Sequence, residues 1–445
     1  MDNRLTEGRI STEILRFAIP FLFSSILQAV YSAVDVFVVG QFSGAASVSA
    51  VSIGSGIMSM ITGIVLALSM GGTVLIGEKV GAKDYEGVGR GIGNLALLFL
   101  LIAIIMSPVM MLLTNTMVSL MQTPVEAVVE ARQYVRICSF GLIFIVGYNG
   151  VSSIFRGLGD SKTPVYFVLI ATIMNIILDF LFVKGFGMSA AGAAYATIIA
   201  QGFSFLASLI YMVVKGFAFE MHKSYFRPQK KYMAKILKVG IPLATQSFLV
   251  NISFLLISAM VNTLGVNASA AAGIGEKALN FAFLIPSSLS SAVATMVAQN
   301  NGAGKFERSW KCLWYGVGYG IIPGIVICII CNMFPNLLPS FFSNEPEVIR
   351  LAGEYIRFYS VDLILTPFIF CFNSFFSSCN RPMITFTHSI VSTVLGRIPA
   401  TWYFRKFSTN HLTLMGLAAP IASMISIVMC VYYLKKVYED VISRG

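Results

Sequence analysis

The sequence predicts an all-α integral membrane protein, with twelve transmembrane helices in two homologous six-helix bundles. Three observations predict it. Of the 445 residues, 56% are hydrophobic and only 11% charged, and the mean hydropathy is +0.80, whereas soluble domains carry about 25% charged residues. Apolar runs of about 20 residues, the length that crosses a bilayer, recur along the whole chain. The chain also repeats itself at a nearly constant offset.

The apolar runs place spans at 13–40, 49–76, 91–114, 134–154, 164–184, 191–214, 236–263, 269–298, 312–338, 352–377, 383–404 and 412–434. The opening stretch MDNRLTEGRISTEILRF lacks a short apolar core followed by a small-residue cleavage site, so the first span doubles as the insertion signal. The cysteines (Cys138, Cys312, Cys328, Cys331, Cys371, Cys379 and Cys430) are scattered through apolar runs and read as small packing residues rather than metal ligands.

Orientation follows from lysine and arginine. With both termini cytoplasmic, 21 of the 31 basic residues fall on inner segments, seven on outer segments, and Lys238, Lys277 and Arg397 within spans. The formal charge of +11 then reports topology, and no nucleic-acid partner is expected.

The repeat is explicit. EILRFAIP (13–20) matches KILKVGIP (235–242), GAKDYE (81–86) matches GAGKFE (302–307), and QYVRICS (133–139) matches EYIRFYS (354–360), at offsets of 222, 221 and 221. The chain therefore divides into residues 1–215, a polar and basic linker 216–231, and residues 232–445. An even number of spans per half inserts both halves the same way round. They should relate by a pseudo-twofold along the membrane normal, with a cavity between them, an architecture that suits alternating access. A duplicated scaffold without that role is the plain alternative.

Four acidic residues lie well inside spans: Asp35, Asp179, Glu276 and Asp362. An intramembrane carboxyl is costly and marks a candidate site. Asp35 and Asp179 each stand about five residues before the outer end of an outward-running span, and Thr197 about six residues into the returning one, so all three share one level at about 1.5 Å per residue. In the first span Gln28, Tyr31, Ser32 and Asp35 share a helical face, as do Asn175 and Asp179 in the fifth and Thr197 and Gln201 in the sixth. Asn149 in the fourth is a further candidate. Two carboxyls in a low-dielectric pocket cannot both stay charged without a cation. A proton or Na⁺ fits, since carboxylate, amide and hydroxyl supply oxygen ligands. A buried network that only fixes helix packing is the competing reading.

The second half breaks the symmetry. Asp35 corresponds to Leu256 or Ile257, and Asp362 to Gly141. Glu276 and Lys277 either line a cavity or satisfy each other. Arg357 is a candidate structural partner for Asp362. Arg397 is expected to neutralise an acid that the sequence does not identify.

Residues IPFLFSSILQAVYSAVDVFVVGQFSG, FRGLGDSKTPV, NIILDFLFV, GAAYAT and VAQNNGAGKFERS together make the chain resemble the multidrug and toxic compound extrusion (MATE) transporters over nearly its whole length. The resemblance implies a two-lobed twelve-helix fold and a secondary exporter of organic, cationic drugs by antiport with H⁺ or Na⁺, with no cofactor. It implies a multi-pass protein of a prokaryotic inner membrane, acting as a monomer. Asp35, Asn175, Asp179 and Thr197 are similar to the cation site of the DNA-damage-inducible-F-like branch, and would ligate Na⁺ if sodium is coupled. The acid that another branch carries in the seventh span is absent: that stretch reads FLVNISF, with Asn251 as a cavity candidate. The second-half counterpart of FRGLGDSKTP, FFSSCNRP, is shorter and lacks the aspartate.

The alternatives are a lipid or lipid-linked oligosaccharide flippase of the same superfamily and an intramembrane enzyme. Four acids against three bases within the spans favour a cationic or neutral substrate over an anionic one. The enzyme reading lacks its motifs: there is no DxxxD and no HExxH, and GLGD (157–160) lies in a basic loop.

Overall fold

The computed structural model describes residues 4–217, 219–407 and 411–442. Arg444, counted above among the inner charges, lies outside them. Every regular element among the described residues is helical. We number the helices by span: α1 (Ile10–Phe42), α2 (Ala45–Gly81), α3 (Tyr85–Leu120), α4 (Val128–Phe140 with Leu142–Gly157), α5 (Thr163–Asp179), α6 (Ser189–Lys215), α7 (Lys230–Asn262), α8 (Val266–Gly302), α9 (Phe306–Met333), α10 (Pro346–Tyr359 with Asp362–Ser378), α11 (Pro382–Val391, Ser392–Arg397 and Ile398–Phe407) and α12 (Ala418–Ile442).

Nine described helices are individually long and apolar enough to cross a bilayer, and two bent pairs bring the number to eleven. The expected span at 383–404 is α11, which a π-helical turn at Ser392–Arg397 breaks into short pieces. α4 and α10 bend by 49° and 48°, next to Gly141 and to Ser360–Val361, positions related by the repeat. α2 and α3 run to 37 and 36 residues, well past the expected bounds. The apolar core sets where a helix crosses the membrane, but a breaker sets where it stops. Here that breaker is the GAKD turn, where Lys83 takes φ 56° and Asp84 caps α3 by accepting from the Gly87 amide at 2.8 Å.

The chain forms two compact units, one of residues 23–244 and one of 2–22 with 245–445. The division falls inside α1 and α7, two residues beyond Pro20 and Pro242. A proline within a helix removes one backbone hydrogen bond and permits a bend there. In the second unit, Ile14, Phe17 and Ala18 of α1 join the core formed by Leu289, Met296, Leu313 and Phe372. The Asn300 amide donates to the Leu5 carbonyl at 3.0 Å.

In the first unit, Tyr232 and Ile236 of α7 join the core of α2 to α4, and Lys235 pairs with Glu78 at 2.6 Å. Ile14 and Ile236 are repeat partners 222 residues apart. Gly71 admits this docking, because a Cβ there would collide with the Ile236 carbonyl. Small residues at such crossings let backbones approach closely.

The Gly71→Leu variant is expected to lose roughly 1–3 kcal/mol through overpacking, read as a lowered unfolding temperature of the purified protein. The Gly56→Leu variant, where nothing lies within 4 Å of the added Cβ, should unfold with the wild type.

Candidate functional site

In the first unit, α1, α5 and α6 bring their predicted polar residues together. Asp35 is 3% exposed, Asn175 and Asp179 are 0% exposed and Thr197 is 7% exposed. The Thr197 hydroxyl donates to Asp35 Oδ2 at 3.3 Å. Asp179 and Asn175 stand within side-chain interaction range of Asp35. Neither carboxylate brings a donor to the other. Asp35 Oδ1, both Asp179 oxygens and both polar side-chain atoms of Asn175 are buried without a hydrogen-bond partner.

Local structure explains the placement. Asp179 is the last α-helical residue of its span, and the helix then widens into a π-helical turn, Phe180–Gly185. Such turns are rare and recur at functional sites. The Tyr31 hydroxyl lies in reach of Asp35, Thr197 and Gln201.

Tyr134 and Cys138 of α4 also border Asp35, and a Cβ at Gly54 would collide with the Tyr134 ring. The sequence reading did not single out these two residues, although QYVRICS carries them one helical turn apart.

The other candidates lie elsewhere. Gln28 is exposed and Ser32 half-buried on α1. The Asn149 amide donates to the Ile145 carbonyl of its own helix at 2.8 Å, and Asn251 likewise to Ser247 at 2.8 Å. Asp160 of GLGD closes the loop before α5, accepting from the amides of Lys162 and Thr163 at 3.0 Å each and from the Thr163 hydroxyl at 2.6 Å.

The second unit carries a different cluster. Arg397 lies over the Phe254 ring, 4.8 Å from its centroid, a favourable cation–π placement. Glu276, Asp362, Tyr355 and Tyr359 all lie within its electrostatic reach. Two pairings considered from the sequence are not formed. Lys277 is exposed and no ion pair joins it to Glu276, which removes the alternative of mutual satisfaction, and Arg357 is exposed while Arg397 is the cation within electrostatic reach of Asp362. Both follow from helix geometry: neighbours in sequence point different ways, and a residue of another helix reaches the buried carboxyl.

The repeat sharpens the contrast. Counted from the proline opening each helix, Asp179 and Arg397 stand equally far along (164 to 179, 382 to 397). Tyr134 and Cys138 likewise match Tyr355 and Tyr359 at an offset of 221.

Two further buried polar groups escaped the sequence reading. The Arg156 guanidinium, counted there as a loop charge, is 6% exposed and donates to the Ser152 and Ser69 hydroxyls at 3.1 Å each. His388 is 0% exposed, 2.7 Å from Asn373 Oδ1 and 3.0 Å from Ser426 Oγ. A lone histidine in THSIVS was the available signal.

Two carboxyls, an amide and a hydroxyl form an oxygen-rich set suited to a proton or a hard monovalent cation rather than to a transition metal. No group of three or more His, Cys, Asp or Glu placed to hold a metal occurs among the described residues.

The MatE family model matches the chain twice, over residues 20–181 and 242–403, an offset of 222 at both bounds. The chain belongs to the MatE family. It is therefore a membrane transporter and not an enzyme. Among relatives, it is 28% identical to the "Probable multidrug resistance protein YpnP" of Bacillus subtilis, over 90% of this chain and 89% of that one. It is 25% identical to the "Probable multidrug resistance protein NorM" of Thermotoga maritima, over 77% and 74%.

The fold matches a MOP superfamily transporter from Pyrococcus furiosus with a TM-score of 0.92 at 21% identity, covering 98% and 97% of the two chains. It also matches an outward-facing multidrug resistance MATE family transporter with a TM-score of 0.91 at 20% identity, covering 98% of each. These solved structures establish the two-lobed, internally repeated twelve-helix fold for this chain.

The charge cluster around Arg397 is checked by a double-mutant cycle on unfolding temperature. Arg397→Met alone is expected to lower stability by about 1 kcal/mol, by removing the positive charge near Glu276 and Asp362 and the guanidinium from the Phe254 ring. Adding Glu276→Gln should recover part of that loss, a coupling of about 0.5 kcal/mol or more. Strict additivity would mean that the two side chains do not interact.

Proposed function

We propose that this MatE-family chain is a secondary active exporter of organic, cationic drugs, working by alternating access and antiport with H⁺ or Na⁺. The observation that carries this reading is the facing pair Asp35 and Asp179, buried beside Asn175 and Thr197 with most of their polar atoms unpartnered. Both carboxylates cannot be ionised there without a compensating positive charge. One proton bridging the carboxyls, or one Na⁺ held by the four side chains, neutralises half of the site's charge. Cationic substrate and coupling ion then compete for the same negative charge, which is what antiport requires.

The names of the relatives support drug export: besides YpnP, the "Multidrug export protein MepA" of Staphylococcus saprophyticus is 25% identical over 64% of this chain and 64% of its own length. The DNA-damage-inducible-F-like branch fits because the acid-rich pair sits in the first half, while Arg397 stands equally far along its helix in the second. We assign the protein to a prokaryotic inner membrane, as its bacterial relatives suggest, as a monomer in line with the family resemblance, and with both termini cytoplasmic on the distribution of lysine and arginine. The domain limits 1–215, 216–231 and 232–445 describe the repeat; the compact units cut across it at α1 and α7.

Reconstitution tests this reading. Ethidium-loaded proteoliposomes, given a pH gradient or a sodium gradient one at a time, should show efflux driven by at least one of them. Asp35→Asn and Asp179→Asn should each reduce that efflux to the rate of empty vesicles while inserting and folding normally. Gradient-driven efflux at the wild-type rate in both variants would remove the site from the mechanism.

A further inference from the structure

A second feature of the first unit has no part in the carboxylate site. An apolar cavity of about 730 Å³ lies among α3, the second arm of α4, α6 and the segment after α6. Leu95, Phe99, Ile143, Phe205, Met212 and Phe219 line it. Its volume is that of a small-ligand pocket, roughly 300–1,000 Å³. Along α3 its lining runs from Ile92 to Ala103, which at 1.5 Å per residue spans about 16 Å, close to half the ~30 Å hydrocarbon core.

Lining residues Leu100 of α3 and Val213 of α6 are 49% and 77% exposed. On a membrane-spanning helix, exposed apolar side chains face lipid tails. The cavity is therefore open toward one leaflet.

The polar end is closed by residues that the sequence marks as a linker. Phe217 and Phe219 stack with centroids 5.2 Å apart, and Phe219 stacks on Tyr85 at 6.3 Å. The Gln229 amide donates to Asn94 Oδ1 at 2.6 Å. Tyr225 is buried against Gly89 and Gly93, where any Cβ would collide with it. Phe217, Phe219, Tyr225 and Gln229 thus hold the described part of the segment as a roof. It carries Lys223, Arg227, Lys230 and Lys231, all exposed and in no ion pair among the described residues. Its one acid, Glu220, lies 3.8 Å from His222.

We propose that this cavity binds an anionic phospholipid, with acyl chain in the apolar space and headgroup phosphate against the basic roof. The apolar lining and the basic residues that follow Met221 and Phe226 in the chain point to the same ligand. A charged drug gains nothing from walls of Leu, Ile, Phe and Met, and a neutral apolar molecule has no use for four unpaired cations. A phospholipid of the basic leaflet offers both parts, joined at the depth where the cavity meets the roof. Each basic residue near such a headgroup is worth about 1 kcal/mol, or roughly a fivefold preference.

Native mass spectrometry of the purified full chain, exchanged into phosphatidylglycerol or phosphatidylcholine of identical acyl chains, tests the proposal. The wild type should retain one phosphatidylglycerol per chain in clear preference to phosphatidylcholine. The Lys223→Gln/Arg227→Gln double variant, altered only at exposed positions, should lower that preference by roughly 25-fold if both residues meet the headgroup. Ala96→Trp, at an exposed lining position, should lose the retained lipid of either kind.

Equal retention of the two lipids by the wild type, an unchanged preference in the double variant, or retention by a monodisperse Ala96→Trp equal to wild type would each overturn the proposal. So would ethidium competing for the cavity on equal terms with phosphatidylglycerol. If Ala96→Trp fails to fold, the double variant decides alone. None of these readouts uses gradient-driven efflux, so the result stands apart from the transport reading.

Discussion

Two carboxyls facing each other in a protein interior set the terms for the rest of this molecule. Asp35 and Asp179 are almost wholly enclosed, and three of their four carboxyl oxygens lack a partner. Asp160 in its loop and Arg156 between two serines are paired, whereas these carboxyls are not. A site that takes up and releases a small cation has to leave ligand atoms free. On the proposed reading, the incomplete hydrogen bonding is the feature that serves transport, and the helices around it supply the frame.

That frame is a duplicated one, and the duplication holds backbone more tightly than charge. Pro20 and Pro242, Ile14 and Ile236, and the bends of α4 and α10 fall at matching places. So do the tyrosine of QYVRICS and that of EYIRFYS. The charges do not match. At the distance from the opening proline where the first half has Asp179, the second has Arg397, whose guanidinium rests on Phe254 near Glu276 and Asp362. A guanidinium tethered beside two acids acts as a resident countercharge. Among the described residues no basic side chain acts on Asp35 or Asp179 in this way, and on the proposed reading their charge falls to an exchangeable ion. One fold thus holds two buried acidic clusters balanced in different ways.

Much of this was legible in the sequence, because its signals are local. Twelve apolar runs, the basic bias of alternate loops and the repeat offset gave the architecture. Helical spacing placed Asp35, Asp179 and Thr197 at one depth, with Asn175 one turn from Asp179 on the same face. What was not legible depends on side chains from different helices meeting. Arg397 could not be assigned to Glu276 and Asp362, because which helix lies opposite which is a tertiary fact. Arg156 reads as a loop charge until α2 is packed against it. The segment 216–231 reads as a polar linker, because its attachment rests on glycines of α3, Gly89 and Gly93, more than 120 residues earlier. Helix ends ran past the predicted bounds, because hydropathy locates the bilayer and not the breaker.

The central claim is that the Asp35–Asp179 pair holds one exchangeable monovalent cation. The most direct test is ion release on substrate addition. Purified protein in weakly buffered, sodium-free detergent solution, with a pH indicator, should release about one proton per chain when saturated with ethidium. In the presence of ²²Na⁺ it should instead release about one sodium if sodium is the coupling ion. Loss of that release in Asp179→Asn is the predicted result. Saturable ethidium binding by the wild type with neither ion released would contradict the account.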